Sequence, residues 1–142
     1  MANVEVCCLM LMKKILRSLP PFLFSVIVIA AVVMLTCFPV PEMVMKAPSF
    51  LGADKIVHAI MFYGVVSALV FDVCRKSPSG LSTGMLAAFL AGALVLGGIT
   101  ELVQAFADIN RSGDINDFIA DSIGAFVGWL TSPRLCKAFF SV

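Results

Sequence analysis

Three apolar runs of about 20 residues, separated by short polar breaks, constrain this chain more than any other feature. An α-helix rises about 1.5 Å per residue, so a run of about 20 apolar residues crosses the hydrocarbon core of a bilayer. The runs cover residues 19–38, 56–74 and 82–106, and a weaker fourth begins near Asp114 and continues to 132. Pro39 and Pro41 stop the first, Pro78-Ser79-Gly80 turns the second into the third, and Asn110 to Gly113 separate the third from the fourth. The pattern predicts an all-α, polytopic membrane protein with four transmembrane helices at about 19–38, 56–74, 82–106 and 114–132. Residues 1–18 and 133–142 fall outside that membrane domain.

Composition agrees. Of 142 residues, 61% are hydrophobic and 13% charged, against about 25% charged in soluble domains. The net charge of +1 comes with no basic patch, which argues against a nucleic-acid partner. Five cysteines, an odd number without a CxxC pair, suggest neither a disulfide framework nor a zinc or redox motif. No cofactor is expected. Lys13, Lys14 and Arg17 ahead of the first run resemble the charged region of a signal peptide. The run exceeds the usual apolar length of about 7–15 residues, and no Ala-x-Ala site follows, so it reads as an uncleaved span. Met12 makes a more natural start than Met1, and residues 1–11 are read as an upstream extension.

Basic residues orient the spans. Four crossings leave Lys13, Lys14, Arg17, Arg75, Lys76, Arg134 and Lys137 on one side, and Lys46, Lys55 and Arg111 on the other. By the positive-inside rule both termini are expected in the cytoplasm. Three polar clusters, distant in sequence, then share the outer end. They are Asp54, Lys55 and His58 at the start of the second span; Glu101, Gln104 and Asp108 at the end of the third; and Arg111, Asp114, Asp117 and Asp121 at the start of the fourth. Ionisable groups near membrane depth cost roughly 2.5–3.5 kcal/mol on insertion scales, so a functional reading is the default. Residues three or four apart share a helix face. Asp114, Asp117 and Asp121 therefore run in one stripe into Gly124 and Gly128, small residues that let membrane helices approach closely.

The three motifs are Asp54-Lys55-x-x-His58, Glu101-x-x-Gln104 and Arg111-x-x-Asp114-x-x-Asp117-x-x-x-Asp121-x-x-Gly124-x-x-x-Gly128. In this order they resemble the VanZ-like family of small bacterial membrane proteins, over roughly residues 45–132. The resemblance implies a multi-helix protein of the bacterial cytoplasmic membrane. The family's namesake is associated with resistance to teicoplanin, a glycopeptide that targets cell-wall precursors. The family pattern has Asn where Asp121 stands, so this chain carries one acid more.

Each polar residue has a structural reading beside the chemical one. Asp54 can cap the second span, and Asp114 and Asp117 suit the positive end of the fourth helix. Lys55 can snorkel as a surface charge. His58 can hold a helix end or carry a proton, and Arg111 is a natural partner for the carboxylates. Tyr63 and Trp129 read as packing or interface anchors, and Asp72 as a local ion pair with Arg75 and Lys76. Asp114, Asp117, Glu101 and His58 offer ligands that a hard divalent cation could use, but their spacing is no metal motif, and no metal site is expected.

Three functions stay open. The first is an outward-facing pocket of Asp54, Lys55, His58, Glu101, Gln104, Arg111, Asp114, Asp117 and Asp121. It would engage a lipid-linked wall precursor, a lipid headgroup or a glycopeptide drug. The second is a membrane-embedded enzyme whose acid–base candidates are Glu101, Asp117, Asp121 and His58. The third and least favoured is a small proton-coupled transporter or channel, because nearly all the polar residues lie on one side and spans one and two offer no polar path to the other.

Overall fold

Apolar runs this long satisfy their backbone groups internally only as helices, and helices are what form. The structure, a computed structural model, describes residues 2–37, 53–77, 79–106 and 114–140, which hold five helices and no strand. In chain order they are α1 (Ala2–Ser18), α2 (Leu23–Cys37), α3 (Ala53–Lys76), α4 (Thr83–Phe106) and α5 (Ile115–Phe140). α3 and α4 are long and apolar enough to cross a membrane, each with a mean hydropathy of 2.0. Val6–Ser18 and α2 reach that standard only as a pair bent by 71°. The described residues thus hold two such helices, or three if the bent pair is one span. α5 has the length, at 26 residues, but carries Asp117, Asp121, Arg134 and Lys137. Its outer stripe is nonetheless apolar, with Ile119, Ile123, Phe126 and Leu130 exposed.

α3 is the central helix and touches the other four. Phe62, Val65, Val66, Val70 and Cys74 from α3 form the middle of the core, closed by Val32, Ala93, Ala125, Cys136 and Phe140. Contacts along α3 and α5 rise together in number: Lys55 with Asp117, His58 with Asp121, Ser67 with Ser132. The two helices are therefore parallel. α2 meets α3 head to tail, through Ser25 and Asp72, and its last turn meets the last turn of α4, through Thr36 and Gln104. α2 and α4 thus run opposite to α3 and α5.

Gly124 and Gly128 lie in the α3–α5 contact. A Cβ placed on Gly124 would stand 2.7 Å from the Ala59 carbonyl carbon, and one on Gly128 would stand 3.0 Å from the Tyr63 carbonyl oxygen. The backbones meet directly, as small residues permit between membrane helices.

The expected first span began at residue 19; the helix begins at Leu23. Pro20 and Pro21 account for the difference, because proline has no N–H to continue a helix. Their missing donors strand the carbonyls of Leu16 and Arg17, four residues earlier. Donors from α3 replace them: Arg75 Nη1 donates to Leu16 O at 2.7 Å and Leu19 O at 3.0 Å, Arg75 Nη2 donates to Pro20 O, and Lys76 Nζ donates to Arg17 O at 2.7 Å. On the other side of the bend, Asp72 Oδ2 accepts from the Ser25 backbone N–H at 2.8 Å and hydroxyl at 2.7 Å, which caps α2. Asp72 Oδ1 accepts from Arg75 Nε at 2.7 Å. The local pair read from sequence is present, and it also fastens the α1–α2 bend.

α5 continues eight residues beyond the expected end at 132, through Pro133 to Phe140. Burial of Cys136 and Phe140, the latter 5.5 Å from Phe71 between ring centroids, offsets the backbone bond that Pro133 cannot make. Pro39, Pro41 and the break from Asn110 to Gly113 lie outside the described residues.

Two predictions follow from this packing. Gly124→Ala should destabilise the protein by about 1–3 kcal/mol through overpacking, despite alanine's better helix propensity. Gly92→Ala, where a Cβ meets nothing within 4 Å, should be neutral or stabilising. Unfolding curves in mixed detergent measure both, and equal curves for the two variants would contradict the packing account. Arg75→Met should cost about 3–5 kcal/mol, because Asp72 keeps a buried charge without its cation. The double variant Asp72→Asn/Arg75→Met should recover part of that loss, and strictly additive losses would show that the two residues are not coupled.

Candidate functional site

The end of the bundle opposite the Asp72–Arg75 pair gathers the first turns of α3 and α5 and the last turns of α4. Because α3 and α5 are parallel and in backbone contact, residues at 3–4 spacing on each form facing ladders. Lys55 Nζ donates to Asp114 Oδ2 at 3.2 Å and to Asp117 Oδ1 at 3.1 Å. One turn further in, His58 Nδ1 and Asp121 Oδ1 share a hydrogen bond of 2.9 Å. With the carboxylate ionised, the ring N–H donates.

Burial increases down the ladder. The Lys55 and Asp114 side chains keep 42% and 37% of their exposure, whereas those of His58 and Asp121 keep 4% and 2%. The outer pair is a solvated ion pair of little energetic weight. The inner pair is desolvated, where each hydrogen bond and charge matters more.

Glu101, near the end of α4, reaches the same cluster. Its Oε2 accepts the Asp114 backbone N–H at 2.9 Å. Asp114 stands just ahead of α5 and caps it, its Oδ1 accepting from the Asn116 backbone N–H at 2.9 Å and from the Asn116 amide at 2.7 Å. The Asn116 backbone bond, followed by Lys55, holds the Asp114 carboxyl below the usual carboxylate range. The other oxygen of Glu101, Oε1, and Oδ2 of Asp121 are buried with no hydrogen-bond partner among the described residues. Ligating atoms of His58, Glu101 and Asp121 lie within 4.8 Å of one another, as do those of Asp54, His58 and Asp117.

The structure thus brings together Asp54, Lys55, His58, Glu101, Asp114, Asp117 and Asp121. Gln104 is buried on α4 but is directed to α2, where its Nε2 donates to the Thr36 carbonyl at 2.9 Å. Arg111 and Asp108 lie outside the described residues. Gly97 is an addition that the sequence reading did not single out. A Cβ there would stand 3.3 Å from Asp121 Oδ2, so the glycine leaves room for that carboxylate between α4 and α5. The Gly97-Gly98 pair inside an apolar run was the available signal.

A groove of about 390 Å³ opens beside the cluster between α4 and α5. Glu101 and Asp114 form its polar end, and Leu102, Ile115 and Phe118 line it with apolar surface. A larger cavity of about 540 Å³ lies elsewhere, among Phe24, Tyr63, Phe71, Leu135 and Phe139, and has an almost wholly apolar wall. The smaller groove has the chemistry: carboxylates at one end and a surface suited to hydrocarbon along the other.

No curated protein and no solved structure matches the chain. One family model, described as VanZ/LLP1, matches residues 7–137, nearly its whole length.

Proposed function

Because the chain belongs to the VanZ/LLP1 family, we propose that it is a four-span protein of the bacterial cytoplasmic membrane that engages a lipid-linked cell-wall precursor at the outer face. α2, α3, α4 and α5 are the spans in this reading, and α1 lies along the cytoplasmic surface. The alternating helix directions support it. So does the collection of Lys13, Lys14, Arg17, Arg75, Lys76, Arg134 and Lys137 on the side opposite the acidic cluster.

The observation that carries the ligand class is the groove between α4 and α5. Its polar end at Glu101 and Asp114 and its apolar wall at Leu102, Ile115 and Phe118 match an amphiphile lying with its headgroup at the membrane edge and its chain along the helices. A lipid-linked wall precursor has that form, as does a lipid headgroup or an acylated glycopeptide. Tolerance of teicoplanin would follow if the protein altered access to such a precursor.

A second reading, a membrane-embedded acid–base enzyme, is favoured by the buried His58–Asp121 pair with Glu101 nearby. Two carboxylates in different surroundings can divide into acid and base. Glu101 would be the base, with His58 as the proton carrier that Asp121 orients.

Two experiments test these readings. Cys7 and Cys8 are exposed on α1, so a membrane-impermeant thiol reagent should label them in inside-out vesicles and not in intact cells; the reverse pattern would invert the topology. Wild type, Glu101→Gln and Arg111→Ala, at matched membrane levels, should then be compared for teicoplanin susceptibility and for pools of lipid-linked wall precursors. Losing one charged hydrogen bond weakens headgroup binding roughly tenfold or more, so both variants should lose protection and shift the pools. In the enzymatic reading Glu101→Gln keeps binding and loses turnover. Unchanged behaviour in all three strains would make the cluster a structural clasp.

A further inference from the structure

The cluster contains an imbalance that a bound cation would resolve. Among the described residues, five carboxylates, from Asp54, Glu101, Asp114, Asp117 and Asp121, meet at this end with one lysine, Lys55. Lys55 is engaged by Asp114 and Asp117 near the rim. Deeper in, Asp121 is 2% exposed and its Oδ2 has no hydrogen-bond partner among the described residues; the same holds for the buried Oε1 of Glu101. Buried polar atoms are almost always satisfied, and an orphaned pair of carboxylate oxygens calls for a group to bind them.

We propose that His58, Glu101 and Asp121 form a binding site for one divalent transition-metal cation, of the Zn²⁺ or Mn²⁺ class. The donor set is one imidazole nitrogen and two carboxylate oxygens, each from a different helix. It suits those ions better than Mg²⁺, which favours oxygen ligands alone and keeps its waters. The dimensions agree. Two ligands at about 2.0–2.2 Å from one ion stand roughly 2.8–3.6 Å apart, depending on the angle. His58 Nδ1 and Asp121 Oδ1 are 2.9 Å apart, and all three ligating groups lie within 4.8 Å. The cation would take the place of the proton that these two atoms share, with the ring bound as its neutral Nε2–H tautomer. Side-chain adjustments of roughly 1 Å close the site.

Gly97 contributes by leaving room at Asp121 Oδ2. Three protein ligands leave a coordination position open, as in catalytic metal sites. Glu101 also forms the polar end of the α4–α5 groove, so that position would be next to the headgroup of a bound amphiphile. In this respect the inference rests on the functional reading above. A dication offsets the two carboxylates of the trio, and its open coordination position would take an oxygen of the phosphate of a lipid-linked precursor. The second trio, Asp54, His58 and Asp117, is the weaker candidate, since Asp117 is already paired with Lys55 and Asp54 is exposed.

Metal loading tests this without any lipid ligand. The full chain, purified in nanodiscs and stripped with chelator, would be dialysed against Zn²⁺ or Mn²⁺ and the bound metal counted by elemental analysis. One ion per chain is expected, with a raised melting temperature. Glu101→Gln and Asp121→Asn should each weaken binding by at least ~10-fold, the scale seen when metal-site groups are lost, while Asp54→Asn should not. Wild type holding no stoichiometric ion would overturn the site. So would wild-type loading of Asp121→Asn, or loss in Asp54→Asn alone. Should the variants fail to fold, X-ray absorption of zinc-loaded wild type decides. Nitrogen and oxygen neighbours support the site, whereas sulfur neighbours would assign the ion to the cysteines. Precursor pools that respond to Glu101→Gln while wild type binds no metal would retain the functional reading and discard this one.

Discussion

Backbone contact between α3 and α5 is the constraint on which the rest of the arrangement depends. Ordinary side chains hold packed helices about 8–10 Å apart, and at such a spacing the short carboxylates of α5 would not reach His58. At Gly124 against Ala59 and Gly128 against Tyr63 the two backbones meet with no side chain between them. The contact also sets register. With Gly124 opposite Ala59, Asp121 falls opposite His58 and Asp117 opposite Lys55, while the Ser67–Ser132 bond at 2.7 Å keeps the same register further along. The spacing that places Asp121, Gly124 and Gly128 on one face therefore couples the polar cluster to the packing seam. A change in one displaces the other.

The opposite end is organised by a different need. Pro20 and Pro21 end α1 and leave carbonyls that no N–H of their own helix can meet, and Arg75 and Lys76 supply the donors from α3. Asp72 caps the start of α2 from the same turn of α3. One turn of one helix thus terminates α1, starts α2 and fixes the 71° bend between them. Arg75 is fully buried, and its five donors suit several carbonyls and a carboxylate together, which a lysine's compact ammonium does not. α3 consequently carries both polar systems, one at each end, with an apolar core between.

This division explains what could be read from the sequence. The all-α character was legible, because long apolar runs admit few other structures. That the Lys55–His58 and Asp114–Asp121 clusters share one end was legible from alternating helix directions and 3–4 spacing. Which residue pairs with which, Lys55 with Asp114 and Asp117 and His58 with Asp121, was not. The Pro20-Pro21 break was visible in the sequence but was absorbed into a hydropathy run, which averages over a lost donor. The extension of α5 past Pro133 was hidden for the converse reason: a proline and two basic residues suggest an end, and only tertiary burial of Cys136 and Phe140 favours continuation. Gln104 was grouped with the acids by its position on α4, whereas its amide is engaged by the last turn of α2. Helix periodicity fixes a face, and which neighbour occupies that face is a property of the whole bundle.

The gradient of burial gives the cluster its chemical character. Lys55 and Asp114 are at a wet rim, where charges are screened and exchange partners easily. His58 and Asp121 are in a dry interior, where an unsatisfied oxygen is costly and a fixed charge acts strongly. Glu101 spans the two, with Oε2 committed to the Asp114 backbone and Oε1 without a partner among the described residues. A salt-bridge clasp alone would be served by mutual pairing of all its groups. Paired oxygens beside orphaned ones, next to an amphiphilic groove, support the proposal that the cluster keeps part of its binding capacity for something outside the chain.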